Sequence, residues 1–479
     1  MNRTKEETRQ ERDSLGIKEV PAWAYYGVET VRALQNFPIS GIRPYPAYIM
    51  ATAAIKKAAA ETNASLGRLD TKIGKAIAQA AQEIMEGMWN EHFVVDVFQA
   101  GAGTSHNMNA NEVIANRALE LLGEARGRYE IIHPHDHVNM AQSTNDVIPT
   151  AIRLAALSML NGLMPVLREL EQALQDKAVE FDAIPKTGRT HLQDAAPIRL
   201  GQEFGGYARA LALDMERIER ARENLKRVGI GGTAVGTGLN THPQYHDIMV
   251  RRLSELTGFD LRSSGNLIES VQNTADFLDL SASLRTLAVT LTRIANDFRL
   301  LSSGPRTGLG EISLPPVQPG SSIMPGKVNP VMAEMLNMVS FQVMGNDLTI
   351  MMASQAGQLE LNVMFPIIAY NLLQSLHILT NGVKAFTERC VKGIRANEEI
   401  CRKWLEASIG LATALSPHLG YDKAAALAQE ALATGKTVRE IAMEKGLFDP
   451  DTLNRILDPI SMTQPELKEE RDRETKNRY

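Results

Sequence analysis

The chain has 479 residues, of which 44% are hydrophobic, 22% charged and 5% aromatic, with a formal net charge of -5. This length allows two or three domains with ample buried core. The mildly negative charge argues against a nucleic-acid partner, and no apolar run reaches the roughly 18 residues of a membrane span. The two cysteines, Cys390 and Cys401, and the polar start MNRTKEETRQERD predict a cytoplasmic location.

The segment before Tyr45 is rich in turn signals, which are Pro21, Gly27, Pro38, Gly41 and Pro44. It predicts a wrapping arm, with helices beginning only after Tyr45. From Tyr48 to Met88 the chain is alanine-rich and amphipathic. Alanine loses no side-chain entropy on entering a helix, so this region favours helices.

The middle of the chain has the strongest periodicity. Apolar residues at alternating spacings of three and four predict one long helix: Phe277, Leu280, Leu284, Leu287, Leu291, Ile294, Phe298 and Leu301. The same spacing predicts a second helix: Leu160, Leu163, Leu167, Leu170 and Leu174. Within that second run, Pro165 predicts a kink or a helix restart.

Two further long helices are predicted over about 332–352 and about 366–383. Several long helices with narrow apolar seams form a bundle, so the predicted fold class is all-α. The seams predict a bundle shared between subunits, and a large monomeric bundle is the alternative. The pattern predicts three domains: an N-terminal domain (1–145), a central helix bundle (146–399) and a small C-terminal helical domain (400–479).

The C-terminal region has shorter patterns. Gly410, Pro417, Gly420 and Gly435 predict breaks between its small helices. The final segment PELKEERDRETKNRY (465–479) is highly charged, which predicts a solvated tail.

Four polar segments interrupt the helical patterns: GAGTSHNMN (101–109), QSTND (142–146), GRTHLQD (188–194) and GSSIMPGKVNP (320–330). Each one taken alone is explained by helix capping, and Thr144 or Asn145 is a candidate cap. Together they offer many neutral donors and a strong cation, Lys327. That combination predicts a small dicarboxylate or another anion bound at helix N-termini.

The residue types in these segments suggest distinct chemical roles. Lys327 and Asn329 place a cation and an amide where they can clamp one carboxylate. His191, beside Thr190, can donate or accept a proton near neutral pH. Ser321 and Ser322 lie in a glycine-flanked loop that could close over a substrate, and a serine there could act as nucleophile or base.

The same four motifs resemble those of the aspartase/fumarase superfamily, in the order and spacing of that family. GSSIMPGKVNP is similar to its signature loop, and the resemblance extends from RDSLGIKEVPAWAYYGVET (12–30) to the small C-terminal domain. The segments AYYGVETVRALQNFPISG, HVNMAQSTND, KVNPVMAEMLN and SFQVMGND resemble the aspartate ammonia-lyase branch more than the fumarase branch.

The resemblance implies a helical homotetramer whose central helices form one shared bundle, with each active site assembled from three subunits. It also implies a reaction without cofactor or metal. A base removes the proton beside one carboxylate, a dianionic aci-carboxylate forms, and ammonia leaves. Fixed donors around that intermediate then supply most of the rate enhancement, each about 10²- to 10³-fold.

The resemblance also implies roles for individual residues. Ser321 resembles the catalytic base, and Ser322 a donor to the intermediate. The residues implied to hold the reacting carboxylate are Thr104, Ser143 and Thr144. Those implied to meet the amino group are Asn145 and His191. Those implied to line the pocket of the other carboxylate are Thr190, Met324, Lys327 and Asn329. Glu334 is implied to orient the histidine, and Thr233 to contribute from the loop GGTAVGTGLN (231–240).

Serine is an awkward base because its hydroxyl is a very weak acid. Ser321 therefore requires backbone amides and Lys327 nearby to stabilise the alkoxide. Two alternative functions stay open. Fumarases carry a histidine at the position of His191, so class II fumarate hydratase is one alternative. The other is a non-catalytic structural homologue, whose signature would be damage at Ser321, Lys327 or His191.

Two other patterns are interpreted as structural. In IIHPHDHVNM, the residues His133, His135 and His137 invite a metal site, but no second ligand cluster lies nearby, which favours a solvated turn. GIGGTA (229–234) fits a dinucleotide fingerprint, yet a basic helical segment stands where the required strand should precede it.

Overall fold

The computed structural model describes residues 7–465. These residues form two compact units. Unit 1 contains the described residues up to Pro165 together with Asp214–Ala288 and Val339–Thr380, and unit 2 contains Val166–Leu213, Val289–Met338 and the described residues from Asn381 onward. The three-domain division at 145 and 399 stays a prediction. Of the tail at 465–479, all but Pro465 lies outside the described residues.

The described residues are mainly helical, which confirms the predicted all-α class. The helices are α1 (Val28–Asn36), α2 (Pro46–Ser65), α3 (Thr71–Met85), α4 (Thr104–Leu121), α5 (Thr144–Glu180), α6 (Leu200–Leu225), α7 (Tyr245–Thr257), α8 (Leu267–Gln272), α9 (Ala275–Leu301), α10 (Val331–Gln355), α11 (Phe365–Arg389), α12 (Glu398–Ala407), α13 (Ala412–Leu419), α14 (Tyr421–Thr434), α15 (Val438–Glu444) and α16 (Pro450–Ile456).

The strands in the described part of the chain form four two-stranded sheets, each from consecutive strands: β1 (Thr8–Asp13) with β2 (Gly16–Pro21), β3 (Pro185–Thr190) with β4 (Gln193–Arg199), β5 (Arg227–Val228) with β6 (Arg262–Ser263), and β7 (Ile312–Ser313) with β8 (Arg395–Ala396). Only the β5–β6 pair is parallel among them.

The expectation of an arm without helix before Tyr45 is wrong. The hairpin β1–β2 and helix α1 both precede that residue. The N-terminus of α1 is stabilised from a distance, because the buried Glu112 carboxylate of α4 accepts hydrogen bonds from the backbone N–H groups of Gly27, Glu29 and Thr30. A carboxylate at a helix N-terminus satisfies its free donors and its dipole. This contact spans more than 80 residues of sequence, so local patterns do not reveal it.

The long predicted helices are confirmed by α5, α9, α10 and α11. All eight seam residues of α9, from Phe277 to Leu301, are buried, as are the five leucines of α5 that formed the predicted seam. The predicted restart at Pro165 is wrong, since α5 continues through that proline as one helix. Burial of the apolar seam stabilises α5 enough to tolerate the lost backbone hydrogen bond.

Among the described residues, α5 is the one helix long and apolar enough to cross a membrane by length and composition alone. In its most apolar 18-residue window, 78% is buried inside the protein. Core helices have the same composition, and we therefore interpret α5 as a core helix.

Unit 2 ends in a cluster of short helices, α12 to α16, around a separate apolar core that includes Leu405, Leu415, Leu427 and Ile441. Gly420 and Gly435 follow α13 and α14 directly, as predicted. Pro417, in contrast, lies inside α13 rather than between helices.

Candidate active site

The GAGTS segment leads into α4 through a tightly packed glycine. Gly103 has φ +101°, and a Cβ there would lie 2.8 Å from Cγ1 of Ile148. Helix α4 begins at the next residue, Thr104. The Thr104 hydroxyl lies 2.7 Å from the carbonyl oxygen of Gly101 and 3.2 Å from Oγ1 of Thr144. Two of the predicted carboxylate-binding hydroxyls therefore meet at the N-termini of α4 and α5.

The QSTND segment forms a reciprocal cap at the start of α5. The Ser143 Oγ accepts from the N–H of Asn145 at 3.2 Å, and the N–H of Ser143 donates to Oδ1 of Asp146 at 2.9 Å. Ser143 therefore fills the capping position expected of Thr144 or Asn145. This exchange resembles a capping box, with aspartate in place of glutamate and with the serine accepting from the second helical residue rather than the third.

Asp146 also ties this helix start to the loop that contains Thr233. Its second oxygen, Oδ2, accepts from the N–H groups of Gly231 and Thr233, each at 2.9 Å. Burial raises the pKa of the Asp146 carboxyl, and the backbone hydrogen bonds oppose that rise. The Asn145 side chain adds a hydrogen bond of 2.7 Å from Nδ2 to the carbonyl oxygen of Ala234. The two loops are thus fixed against each other.

Thr233 is held in an unusual conformation with an unsatisfied hydroxyl. Its φ is +55°, and its side chain is buried. Among the described residues its Oγ1 has no hydrogen-bond partner. Strained backbone and unsatisfied buried polar groups concentrate at functional sites.

The GRTHLQD segment is the tip of the β3–β4 hairpin in unit 2. Thr190 pairs with Gln193, and His191 and Leu192 form the two-residue turn with φ values of +56° and +59°. Both positive values match the type I′ turn that fits the twist of paired strands. Thr190 and His191 are exposed at this tip.

The base of this hairpin is anchored by buried charges. The Glu311 carboxylate is fully buried and lies 2.9 Å from Nη1 of Arg189 and 3.2 Å from Nζ of Lys186. Lys186 also lies 3.4 Å from Glu203 of α6. These ion pairs hold β3 from Lys186 to Arg189, two residues before the exposed histidine.

The signature loop, residues 320–330, closes on itself. The N–H of Gly320 donates to the carbonyl oxygen of Lys327 at 2.8 Å, and the Asn329 side chain donates to the carbonyl oxygen of Gly320 at 2.7 Å. The Asn329 amide therefore already donates one hydrogen bond within the loop. Ser322, Met324 and Lys327 are exposed.

Ser321 accepts two backbone hydrogen bonds. Its Oγ accepts from the N–H of Met324 at 2.9 Å and from the N–H of Ile323 at 3.2 Å. Hydrogen bonds to a charged form favour that form, so these amides stabilise a serine alkoxide. Glu334 lies in the first turn of α10. Within the described residues of unit 2, the hydrogen bonds do not join His191 to either Ser321 or Glu334.

The histidines at 133–137 lie in a five-residue π-helical turn, Pro134–Val138. His133 Nδ1 accepts from the backbone of His135, and His137 Nδ1 accepts from the backbone of His133. His135 pairs with Glu29, which raises the pKa of that imidazole. These side chains are engaged in local structure, and the described residues contain no group of three His, Cys, Asp or Glu side chains that could hold a metal ion.

Comparison with known proteins shows the family of this chain. The family described as "Lyase" matches residues 16–345, and the family described as "Fumarase C C-terminus" matches residues 411–464. The chain belongs to the aspartase/fumarase superfamily of lyases. The resemblance of the four polar motifs to this superfamily is thereby confirmed.

Three proteins illustrate the similarity. An aspartate ammonia-lyase from Bacillus sp is 54% identical over 96% of this chain and 98% of its own length. A class II fumarate hydratase from Halobacterium salinarum is 50% identical over 96% of this chain and 97% of its own length. The crystal structure of a fumarate lyase:delta crystallin from Brucella melitensis bound to cobalt has a TM-score of 0.93 and 52% identity, covering 96% of this chain and all of that one.

Sequence reasoning missed several residues that support the site. Asp146 stands in the QSTND motif, and its position three residues after Ser143 is a helix-capping signal. Lys56 of α2 was overlooked entirely, and it is fully buried near QSTND. A lysine within an alanine-rich, apolar helix was the available signal.

Proposed function

We propose that this chain is an aspartate ammonia-lyase that converts L-aspartate reversibly into fumarate and ammonia. The observation that carries the proposal is the signature loop, in which two backbone N–H groups donate to Ser321 Oγ. The chemistry of the four motifs and the Bacillus relative named aspartate ammonia-lyase, 54% identical over 96% of the chain, support the same reaction.

In this reaction the Ser321 alkoxide removes a proton from the substrate carbon beside the reacting carboxylate. The bonding electrons move into that carboxylate, which becomes a dianionic aci-carboxylate. They then return to form the carbon–carbon double bond, the carbon–nitrogen bond breaks, and ammonia leaves. The proton on Ser321 passes to solvent. The backbone donors of Ile323 and Met324 lower the cost of forming the alkoxide.

We assign the carboxylate groups of the substrate to the two parts of the site. Thr104, Ser143 and Thr144 would hold the reacting carboxylate at the N-termini of α4 and α5, where helix ends favour anions. Lys327 and Asn329, with Thr190 and Met324, would hold the other carboxylate. Asn145 and His191 would contact the amino group, Ser322 would donate to the intermediate, and Glu334 would orient His191.

A direct assay tests this proposal. Fumarate absorbs in the ultraviolet, so absorbance should rise when L-aspartate is added to the protein. Class II fumarate hydratase is the second candidate, favoured by His191 and by the Halobacterium relative. Rapid conversion of malate without conversion of aspartate would move the assignment to that enzyme. Failure of a correctly assembled protein to convert any four-carbon dicarboxylate would favour the non-catalytic homologue, although Ser321, Lys327 and His191 are all present.

We also propose that the protein is a homotetramer whose sites are shared between subunits. Helix α10 supports this assembly because Phe341, Leu348 and Met352 lie along one stripe and are 56%, 54% and 56% exposed. Exposed apolar stripes of this kind mark protein–protein contacts. Light scattering should give the mass of four chains, and a purely monomeric species would refute the shared bundle.

Mixed tetramers test whether sites are shared. Ser321→Ala and His191→Ala proteins, each inactive alone, should regain some activity when unfolded and reassembled together. Verified mixed tetramers that never exceed either parent would indicate that each site is built within one chain.

A cytoplasmic location fits the cysteines. Cys390 and Cys401 are both buried and unpaired, and burial raises the pKa of each thiol to about 12. Inert reduced thiols are typical of a reducing compartment.

A further inference from the structure

The most unusual buried charge in unit 1 is the ammonium group of Lys56 on α2. The side chain is fully buried, and its Nζ donates to three amide oxygens. These are Oδ1 of Asn107 at 2.7 Å, Oδ1 of Asn139 at 2.9 Å and Oε1 of Gln142 at 2.9 Å. Three acceptors match the three N–H bonds of an ammonium group. A buried cation held only by neutral amides costs stability, so its presence calls for a functional explanation.

The Asn107 side chain on α4 connects Lys56 to a residue proposed to bind the carboxylate. Because Oδ1 of Asn107 faces Lys56, its Nδ2 faces Oγ1 of Thr144 at 3.3 Å. The Thr144 oxygen accepts this hydrogen bond, so its own proton is available to donate to a bound carboxylate. Without the ammonium group, the Asn107 amide could rotate and present its oxygen to Thr144 instead.

The other two acceptors flank a strained residue. Asn139 and Gln142 stand on either side of Ala141, which has φ +60°. Non-glycine residues keep such a conformation only where their surroundings hold it. The next residue, Ser143, caps α5. Lys56 thus holds the backbone immediately before the helix N-terminus that binds the carboxylate.

We propose that Lys56 is a positioning residue for the reaction, whose buried positive charge orients the Asn107 amide and the 139–142 turn so that Thr144 and Ser143 donate to the reacting carboxylate. The inference rests on the proposed function. It adds a cation behind the site where the dianionic intermediate accumulates charge. Lys56 acts through Asn107 and does not itself touch the substrate.

The charge of Lys56 is sensitive to its surroundings. Burial lowers the pKa of Lys56 to about 7, and Asp146 of α5 opposes that shift. His106 of α4 is also buried, and burial lowers its pKa to about 3, so it stays neutral. Tyr245 of α7 is near Asp146, and burial raises its pKa, so it too stays neutral. A bound dicarboxylate adds negative charge and therefore favours the ammonium form. Binding above pH 7 should then be accompanied by proton uptake.

The first variant removes the charge and keeps the volume. Lys56→Met should lower kcat by about 10- to 100-fold, with a smaller change in KM, because a charge near the intermediate matters most when the second negative charge forms. The matched control is Lys57→Met on the same helix. Lys57 bonds Gln82 at 2.7 Å and lies 3.9 Å from Glu61, on a different face from the site. Its kcat and KM should stay within about twofold of the wild-type values.

A second variant separates charge from structure and serves if Lys56→Met does not fold. Asn139→Asp is isosteric and gives Lys56 a carboxylate partner that cancels the positive charge, while it removes the hydrogen bond of 3.2 Å from Nδ2 of Asn139 to the carbonyl oxygen of Gln142. A purely structural lysine predicts full activity for Asn139→Asp. The positioning role predicts a fall in kcat of about 10-fold or more in a protein that still folds and assembles.

Proton uptake gives an independent measure. Fumarate without ammonia is a non-reacting ligand, and its binding at pH 8 is measured by calorimetry in two buffers of different ionisation enthalpy. Wild type should take up more protons than Lys56→Met or Asn139→Asp, by up to about one per site. At pH 6, where Lys56 is already protonated, the difference should shrink.

Two results would overturn the proposal: wild-type kcat in either folded variant, or equal proton uptake at pH 8 in wild type and variants. The assay of wild type with aspartate and malate stands apart from this test. If wild type converts malate, the kcat of each variant is compared with that of wild type using malate as the substrate. Failure of the proposed function is then distinguished from failure of the Lys56 role.

Discussion

The site residues of the two units differ in how they are held. In unit 1, the buried Asp146 carboxylate accepts three backbone N–H groups and joins the start of α5 to the loop around Thr233. In unit 2, the signature loop is held by its own short-range hydrogen bonds, and most of its side chains are exposed.

This contrast suggests a division of work between the two regions. Fixed donors stabilise developing charge without reorganising during the reaction, which suits the residues around Thr104 and Thr144. The half-buried Ser321 and the exposed Lys327 interact more strongly with a charged substrate only when water is excluded from them. Changes in the signature loop should therefore alter chemistry and binding alone, whereas changes around Asp146 should alter stability as well.

The largest effect is expected for Ser321→Ala. Loss of the base should lower kcat by about 10²- to 10⁴-fold, while fumarate binding, measured by calorimetry, and the melting temperature stay close to wild type. Ser313→Ala is the control, because Ser313 is exposed in β7 and its hydroxyl donates to Oδ1 of Asn397 at 3.0 Å, a contact outside the signature loop. Near-normal turnover of Ser321→Ala would make the loop a structural connector.

Asp146→Asn tests the other side of the comparison. The amide keeps the shape but replaces one acceptor with a donor that faces backbone N–H groups. The expected costs are about 1–3 kcal/mol in the free energy of unfolding and about 100-fold in kcat, measured by denaturant titration and the fumarate assay. Asp136→Asn is the exposed control. An Asp146→Asn protein as stable as wild type would remove the distinction between the two regions.

Lys327→Ala should mainly weaken binding. A charge-assisted hydrogen bond to a carboxylate contributes roughly 1.5 to 3 kcal/mol, so KM for aspartate should rise about 10- to 100-fold. Stability should be unchanged because the side chain is exposed. If KM is unchanged and kcat falls, Lys327 does not bind the far carboxylate. Its role would then be to stabilise the Ser321 alkoxide.

The smallest effect is expected for Gly320→Ala. A Cβ at Gly320 would lie 2.6 Å from the carbonyl oxygen of Lys327 and would push the two ends of the loop apart. Turnover should fall by a few-fold to about tenfold, in line with the rate cost of a small misplacement, with the melting temperature preserved. Gly162→Ala is the control, since Gly162 lies inside α5 with open space for a Cβ. Equal activity of the two variants would show that loop closure tolerates this shift.

Local sequence patterns determined the positions of the long helices and of the polar motifs. The spacing of three and four placed the seam of α9 correctly from Phe277 to Leu301, because burial of one helical face is a local property of the residue order. The four polar motifs marked the site region for a related reason. Two of them, GAGTS and QSTND, begin α4 and α5, where free backbone N–H groups favour anions, whereas GRTHLQD forms a hairpin turn and GSSIMPGKVNP a loop, which the expectation of four helix N-termini did not include.

Tertiary structure decided what local patterns cannot encode. Helix α1 depends on Glu112, more than 80 residues away, and Asp146 meets Gly231 and Thr233 only because two distant loops fold together. Lys56 stands out in the sequence only as a lysine in an alanine-rich, apolar helix, and packing of α2 decides that it is buried among three amides from α4 and the turn before Ser143. A buried charge takes its role from its partners, and those partners become neighbours only when the chain is folded.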